Sequence, residues 1–252
     1  MFIKNLKLFN FKNHSEKSFD FSPEINCFVG NNGAGKTNFL DALHYLSMAK
    51  SFLGNLDAQN ILHDSDFFAI EAEIQGDEKN DIIKVQLPKE GKKIIKKNDK
   101  TYERIADHIG FLPSVMISPY DANLISDGSE SRRKFLDAMI SQTDSDYLFA
   151  LIQYQKTLQQ RNALLKYFAK NRTFDLDSLE IYNEPLNKFG TQIFVKRQRF
   201  VASILPTIQH FYEIISKGNE KVTVIYESNL NEQNFEEILS ENLEKDRVLT
   251  YT

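Results

Sequence analysis

Residues 30–37 carry the part of this sequence best suited to chemistry. Gly30, Asn31, Asn32, Gly33, Ala34, Gly35, Lys36 and Thr37 fill every fixed position of the pattern G-x-x-x-x-G-K-[ST]. Glycines at the first, fourth and sixth places let successive backbone N–H groups turn inward on phosphate oxygens. Lys36 supplies an ammonium for the β- and γ-phosphates, and the Thr37 hydroxyl is a ligand for Mg²⁺. Asn38 follows directly in the first turn of the helix that the loop opens. These residues together imply a site for ATP or GTP. A plain glycine-rich connector is the competing reading, and the flanking elements decide against it. The apolar run Ile25, Cys27, Phe28, Val29 reads as a buried central strand entering the loop, and Phe39, Leu40, Leu43 and Leu46 recur at helical spacing after it.

The rest of the composition bounds what such a site could serve. The chain has 252 residues, 41% hydrophobic and 26% charged, with six prolines and no low-complexity tract, as expected for an ordinary globular protein with a full core. No apolar run approaches membrane-spanning length. The start lacks the apolar core and small-residue cleavage site of a signal peptide. The single cysteine, Cys27, cannot form an intrachain disulfide, which suits a reducing cytoplasm. Net charge is −4, so nucleic-acid binding would need a local basic patch. One cluster qualifies: Lys89, Lys92, Lys93, Lys96, Lys97 and Lys100, on what reads as one arm of a β-hairpin. It is either a solvated sheet edge guarded by lysines or a surface for DNA phosphates. Arg132 and Arg133 form a second, smaller pair, suited equally to helix capping and to phosphate contact. The five histidines show no metal-ligand spacing.

Three regions emerge along the chain. Residues 1–118 read as strands around the phosphate loop: Phe2 to Phe11, Ser18 to Phe21, Ile25 to Val29, Phe67 to Ile74, Ile82 to Leu87, Lys93 to Lys97 and Ser114 to Ile117. Gly76 to Asn80 is a hairpin turn, and helices fall at Lys36 to Ala49 and Tyr102 to His108. Residues 119–220 read as a helical lobe. A helix starts at Ser129, a second runs from Ser145 to Lys170 with Leu151, Tyr154, Leu158, Leu165 and Phe168 on its seam, and a third carries Leu186, Phe189, Ile193, Phe200 and Ile204. Pro185 and Pro206 should kink or segment that third helix. Gln160-Arg161-Asn162 reads as a hydrogen-bonding surface, with a structural role favoured over direct DNA contact. Residues 221–252 return to β character at Val222, Val224 and Tyr226, then carry a short helical stretch near Phe235 to Leu243 and close on Arg247 to Thr252 without a packed helix.

The opening "LKLFNFKNHSEKSFDFSPEINCFVGNNGAGKTNFLDALHYLSMAKSF" resembles the start of the RecF family of bacterial DNA replication and repair proteins, whose head is related to the ABC-type ATPases of the structural-maintenance-of-chromosomes (SMC) group. "SDGSESRRKFLDAMI", "LQQRNALLK" and "EKDRVLTYT" resemble later family segments in the same order. The resemblance implies an α/β fold, a P-loop ABC-type ATPase head with a mixed sheet and β-hairpins plus an inserted helical-hairpin lobe. It also implies an ATP-dependent homodimer that binds single-stranded or junction DNA. Such a protein would work with RecR and RecO to load RecA, supporting recombinational repair and SOS induction. Lys12 and Asn13 fall where related heads place residues near nucleotide, and Pro119 and Asp121 where the family links sheet to helical lobe. Tyr120 stands where an acidic residue is usual, and Leu53 where an arginine is.

Family members continue beyond the equivalent of Thr252 into a signature segment and a strand ending in paired aspartates. Ser114 to Pro119 is apolar but lacks that acidic pair. The resemblance therefore implies a fragment that binds ATP and Mg²⁺ with impaired hydrolysis. Three other functions compete. A small-molecule kinase would use Arg132 and Arg133 in a lid, but the long hairpin that follows is too regular for one. An ATP-dependent nuclease would need a cluster of acidic residues in a further domain, which the sequence lacks. A structural helical adaptor would bind DNA and partners alike with and without nucleotide.

Overall fold

The computed structural model describes residues 1–54 and 56–252, which group into two compact units, Met1–Gly128 and Ser129–Thr252. The first is built on period-two alternation. β1 (Phe2–Phe11) turns Leu6 and Leu8 inward and Lys7 outward, and β2 (His14–Asp20) returns beside it. The helix α1 (Lys36–Met48) follows, then β3 (Phe67–Gln75), β4 (Asn80–Pro88), β5 (Ile94–Lys97) and the two-residue β6 (Lys100–Thr101). The six strands form one sheet in the order β2-β1-β3-β4-β5-β6, and each neighbouring pair is antiparallel. Gln75 pairs with Asn80 across the expected turn, closed by a bond from Gly76 N–H to the Lys79 carbonyl of 3.1 Å.

Phe68, Ile70, Ala72 and Ile74 of β3 and Ile83, Val85 and Leu87 of β4 line one face of that sheet, and α1 buries Phe39, Ala42, Tyr45 and Leu46 in the same core. Phe11, Tyr45 and Phe68 meet edge to face with centroids 5.2 to 5.9 Å apart, the geometry favoured by ring quadrupoles. The C-terminal end of α1 is tied down from afar. The Leu46 carbonyl lies 2.6 Å from His108 Nε2, and Ser47 donates to the Leu112 carbonyl at 2.6 Å. The segment expected to be a helix from Tyr102 to His108 is shorter than that, a single 3₁₀ turn over Ile105–His108.

Two expected strands do not form. Residues 25–29 form no strand, with Ile25 83% and Val29 91% exposed and Cys27 on the surface; of the five only Phe28 packs into the core. Ser114 to Ile117 behaves likewise, with Val115 and Ile117 exposed. An apolar run becomes a buried strand only where another strand satisfies its backbone, and among the described residues none flanks either segment. Beyond them lie a 3₁₀ turn at Pro119–Ala122, where Asp121 accepts from the Ser118 N–H at 2.9 Å, and the short α2 (Asn123–Ser126). Tyr120 is exposed on that turn.

The second unit is helical: α3 (Ser129–Thr143), α4 (Ser145–Asn171), α5 (Leu176–Glu180), α6 (Asn183–Ser216), α7 (Phe235–Glu241) and α8 (Leu243–Leu249). α4 and α6 are antiparallel, since Asp144 at the start of α4 meets Lys196 while Arg161 further along meets Asn183. α3 joins them through Asp137, which receives three bonds from the Arg197 guanidinium at 2.7 to 2.9 Å and one from the Tyr147 hydroxyl. The buried stripe of α4 runs Tyr147, Ala150, Thr157, Arg161, Leu165, Phe168, so the seam passes through a threonine and an arginine.

Neither proline breaks α6. Pro185 lies in its first turn, where a missing N–H costs nothing. Pro206 sits inside the continuous helix, and the Ala202 carbonyl it leaves without a donor is on an exposed stretch open to water. Residues 222–226 form no strand; Tyr226 packs on Phe194 with centroids 5.9 Å apart. The chain end does carry a packed helix, because α8 places Asp246 against Arg161 of α4. Among the described residues no helix is long and apolar enough to cross a membrane.

Candidate nucleotide site

The phosphate loop of the first unit joins the unpaired segment 25–29 to α1. Gly33 (φ 81°) and Gly35 (φ 91°) occupy left-handed conformations that a side chain disfavours. At Gly35 space is also closed, since a Cβ would lie 2.6 Å from the Asn13 amide and 2.7 Å from the His14 ring. Gly35 caps α1, and among the described residues no side chain caps that end and no acid stands in its first turn. The helix therefore presents free N–H groups and the positive end of its dipole beside an exposed loop, an arrangement that selects an anion. Residues 31–34 and Thr37 are exposed. Lys36 folds back over the loop, its ammonium donating to the Gly30 carbonyl at 2.7 Å and the Asn31 carbonyl at 2.8 Å.

The β1–β2 turn lies against this loop. Asn13 donates weakly to the Gly33 carbonyl at 3.5 Å and accepts from the Asn38 amide at 2.9 Å. His14 Nε2 stands 3.2 Å from the Gly35 carbonyl, a bond that requires the proton on Nε2. Lys12 turns the other way. Its side chain is 7% exposed and its ammonium meets the Asp41 carboxylate of α1 at 2.5 Å. The structure thus brings Asn13, Asn38 and the loop together, and commits the charge of Lys12 to the interior. Sequence reasoning missed Asp41 and His14. The signal was present for Asp41, a lone carboxylate between Phe39 and Ala42 on the buried face of α1.

The basic residues expected at DNA are not equivalent. Lys93 is 10% exposed and donates to the Tyr45 hydroxyl at 3.0 Å, the Ala49 carbonyl at 2.5 Å and Asp57 at 2.7 Å, so it is a structural cation and not a free contact for phosphate. Burial, with the Asp57 carboxylate beside it, pushes the Tyr45 phenol far above its ordinary value. Lys97 pairs with Asp81 at 3.1 Å and lies over the Phe111 ring at 3.7 Å. The hydrogen bond from Asn98 and this lysine hold Asp81 below the usual carboxylate range. Lys92 is exposed and Lys96 half-buried, opposite Lys84 across the β4–β5 ladder. In the second unit Arg132 and Arg133 are exposed on the first turns of α3, and Arg133 donates to the Ser129 hydroxyl at 2.7 Å. Among the described residues no group of histidine, cysteine and acidic side chains could hold a metal ion. Any Mg²⁺ would therefore rely on Thr37 and on phosphate oxygens.

A phosphate loop at the head of a helix buried against an antiparallel sheet, in a chain that continues into a helical hairpin, is the head of a P-loop ATPase of the RecF and SMC type. Residues 2–226 match the RecF/RecN/SMC N terminal domain family. The chain is 52% identical to the DNA replication and repair protein RecF of Flavobacterium johnsoniae and 44% identical to that of Phocaeicola vulgatus, in each case over its whole length and over 70% and 67% of the relative. The chain belongs to the RecF family of DNA replication and repair proteins. A solved structure of the recombination mediator protein RecF of the RecFOR pathway, as RecF-ATPrS, superposes with a TM-score of 0.92 at 30% identity, covering all of this chain and 70% of that one. The RecF-ATP form gives 0.90 at 30% identity, covering all of this chain and 69% of that one.

Proposed function

We propose that the chain binds ATP with Mg²⁺ at residues Gly30 to Asn38 and uses the nucleotide to control its association with DNA. One observation carries the nucleotide reading: the Lys36 ammonium is held by the Gly30 and Asn31 carbonyls at an uncapped helix N-terminus, so the only cation of the loop waits on acceptors that phosphate oxygens would replace. Solved structures of RecF-ATPrS and RecF-ATP superpose on the whole chain, which supports the choice of adenine nucleotide. Bound ATP would supply the negative charge that α1 and Lys36 accept, with Thr37 offering its hydroxyl to the metal. The loop amides, Lys36 and the Asn13–Asn38 pair do the rest, which is to bind and to orient.

Family membership supports a reading of the partners. The cytoplasmic protein would form a nucleotide-dependent homodimer, bind single-stranded or junction DNA, and serve recombination and repair with RecR, RecO and RecA. Of the cations proposed for phosphate contact, Lys92, Arg132 and Arg133 are exposed and Lys96 is half-buried. The test is DNA binding by the wild type and Lys36→Ala, with and without ATP, across a salt series. ATP-dependent binding that weakens steeply with salt and is lost in Lys36→Ala is the expected result. Binding that ignores both nucleotide and Lys36 would favour a passive adaptor.

A further inference from the structure

The carboxylate of Asp41, the deepest charge beside the loop, bonds to no described residue of the phosphate loop itself. Asp41 is fully buried, and its carboxylate gathers two other segments onto α1. It accepts from the Ser51 hydroxyl at 2.8 Å and the Phe52 N–H at 2.6 Å, and it meets the Lys12 ammonium at 2.5 Å. Among the described residues Asp41 is the only carboxylate that pairs with Lys12; the Phe11 ring, 5.8 Å from the ammonium, is its other neighbour of note. Lys12 is fixed at its backbone too, in a left-handed conformation (φ 53°) with its N–H donating to the Asn60 carbonyl at 2.8 Å. The next two residues are those whose side chains reach the carbonyls of Gly33 and Gly35.

Resting on the nucleotide reading above, we infer that Lys12 and Asp41 form an internal strut that positions the phosphate loop. Asp41, on the helix that the loop opens, holds Lys12, and Lys12 sets Asn13 and His14 against the loop from its outer side. Both members are positioning residues; neither touches nucleotide. The strut links the frame of α1 to the β1–β2 turn, so that loop and turn are held in one register. Gly35 is the point where the two meet, with no room for a methyl group between them.

A single truncation would leave a buried charge without its partner and would confuse folding with positioning. The informative protein is therefore the double variant Lys12→Met with Asp41→Asn, which removes both charges and keeps both volumes. Lys12→Arg serves as the conservative rescue. Two measurements are made: binding of a fluorescent ATP analogue with Mg²⁺, and hydrogen exchange in the nucleotide-free protein at the two bonded amides that flank the contact, Ala34 (to the Asn31 carbonyl) and Phe39 (to the Gly35 carbonyl). The double variant is expected to lose about tenfold in affinity. Exchange should rise at the Ala34 and Phe39 amides and stay as in the wild type in β3 and β4, and Lys12→Arg should recover most of the affinity. Wild-type affinity together with unchanged loop exchange in the double variant would overturn the strut.

If the double variant fails to fold, Asn13→Ala removes the far end of the strut and must raise exchange at the Ala34 and Phe39 amides in the same way; unchanged exchange there would overturn the inference equally. If the wild type itself bound no nucleotide, the reading of the site would fail. The exchange measurement would still decide on the strut, because it needs none.

Discussion

Arg161 of α4 and Asp246 of α8 meet at 2.6 Å with the arginine wholly buried, so the last helix of the chain is fastened to the middle of the hairpin by an ion pair out of reach of water. The same guanidinium donates to the Asn183 side chain at 3.3 Å and to the Thr252 hydroxyl, and Asn162 accepts from the Thr252 N–H at 2.9 Å.

Breaking that pair from one side should be severe. Asp246→Ala leaves an uncompensated guanidinium in the interior, which typically costs about 3–5 kcal/mol, whereas replacing both partners by apolar residues of similar volume is often close to neutral. Urea denaturation followed by circular dichroism should show a large fall in the midpoint of the helical unit for Asp246→Ala. Arg161→Met with Asp246→Leu should recover most of it. Equal midpoints for wild type and Asp246→Ala would show that the pair contributes little.

Gly35 and Gly33 make a matched contrast. Both have positive φ, but a Cβ at Gly33 meets nothing within 4 Å while one at Gly35 strikes Asn13 and His14. Gly33→Ala should therefore carry only the left-handed penalty, about 1–2 kcal/mol. Gly35→Ala must also push the β1–β2 turn off the loop. Titration with a fluorescent ATP analogue should show the greater loss of affinity for Gly35→Ala, while both proteins keep their wild-type circular dichroism. Equal losses would mean that the close approach of Asn13 does not matter to binding.

The parts of this chain that could be read from sequence are those set by local repetition. Alternation in β1, β3 and β4, the hairpin turn at Gly76 to Asn80 and the loop before α1 each depend on a few neighbouring residues. What escaped depends on distant partners. The run Ile25 to Val29 is as apolar as a central strand, yet a ladder needs a second strand that its own residues cannot specify. Arg161 reads as surface until α8, 85 residues later, brings Asp246 to it. Lys93 reads as part of a basic arm, and its acceptors lie on Tyr45, Ala49 and Asp57, 36 to 48 residues earlier.

Two histidines of the first unit should make its stability depend on pH. Burial pushes both His108 and His44 below the ordinary value of 6.5. A depressed histidine is neutral in the folded protein while the unfolded chain already takes up a proton. Its contribution is therefore fully present above pH 6.5 and is lost progressively as pH falls from there through the folded value. The thermal midpoint should fall between pH 7.5 and pH 5.5, and His108→Gln, which keeps a donor toward the Leu46 carbonyl, should flatten that slope. A slope unchanged in His108→Gln would assign the effect elsewhere.

Lys92 and Lys93 are adjacent in sequence and opposite in role, which gives a direct test of where DNA contacts lie. Lys93→Met removes three hydrogen bonds from a charged, nearly buried group. It should destabilise the first unit by about 1–3 kcal/mol. Any loss of DNA affinity should then follow the fraction unfolded and vanish under conditions where the variant is fully folded. Lys92→Ala should leave the denaturation midpoint within about 0.5 kcal/mol of wild type, as surface substitutions usually do. If Lys92 meets a phosphate, its loss should weaken binding alike on every sequence and lower the slope of log affinity against log salt by about one. Parallel salt series on the two variants and the wild type separate the effects. A lowered slope in folded Lys93→Met with an unchanged slope in Lys92→Ala would reverse the assignment and place DNA on the face that Lys93 occupies.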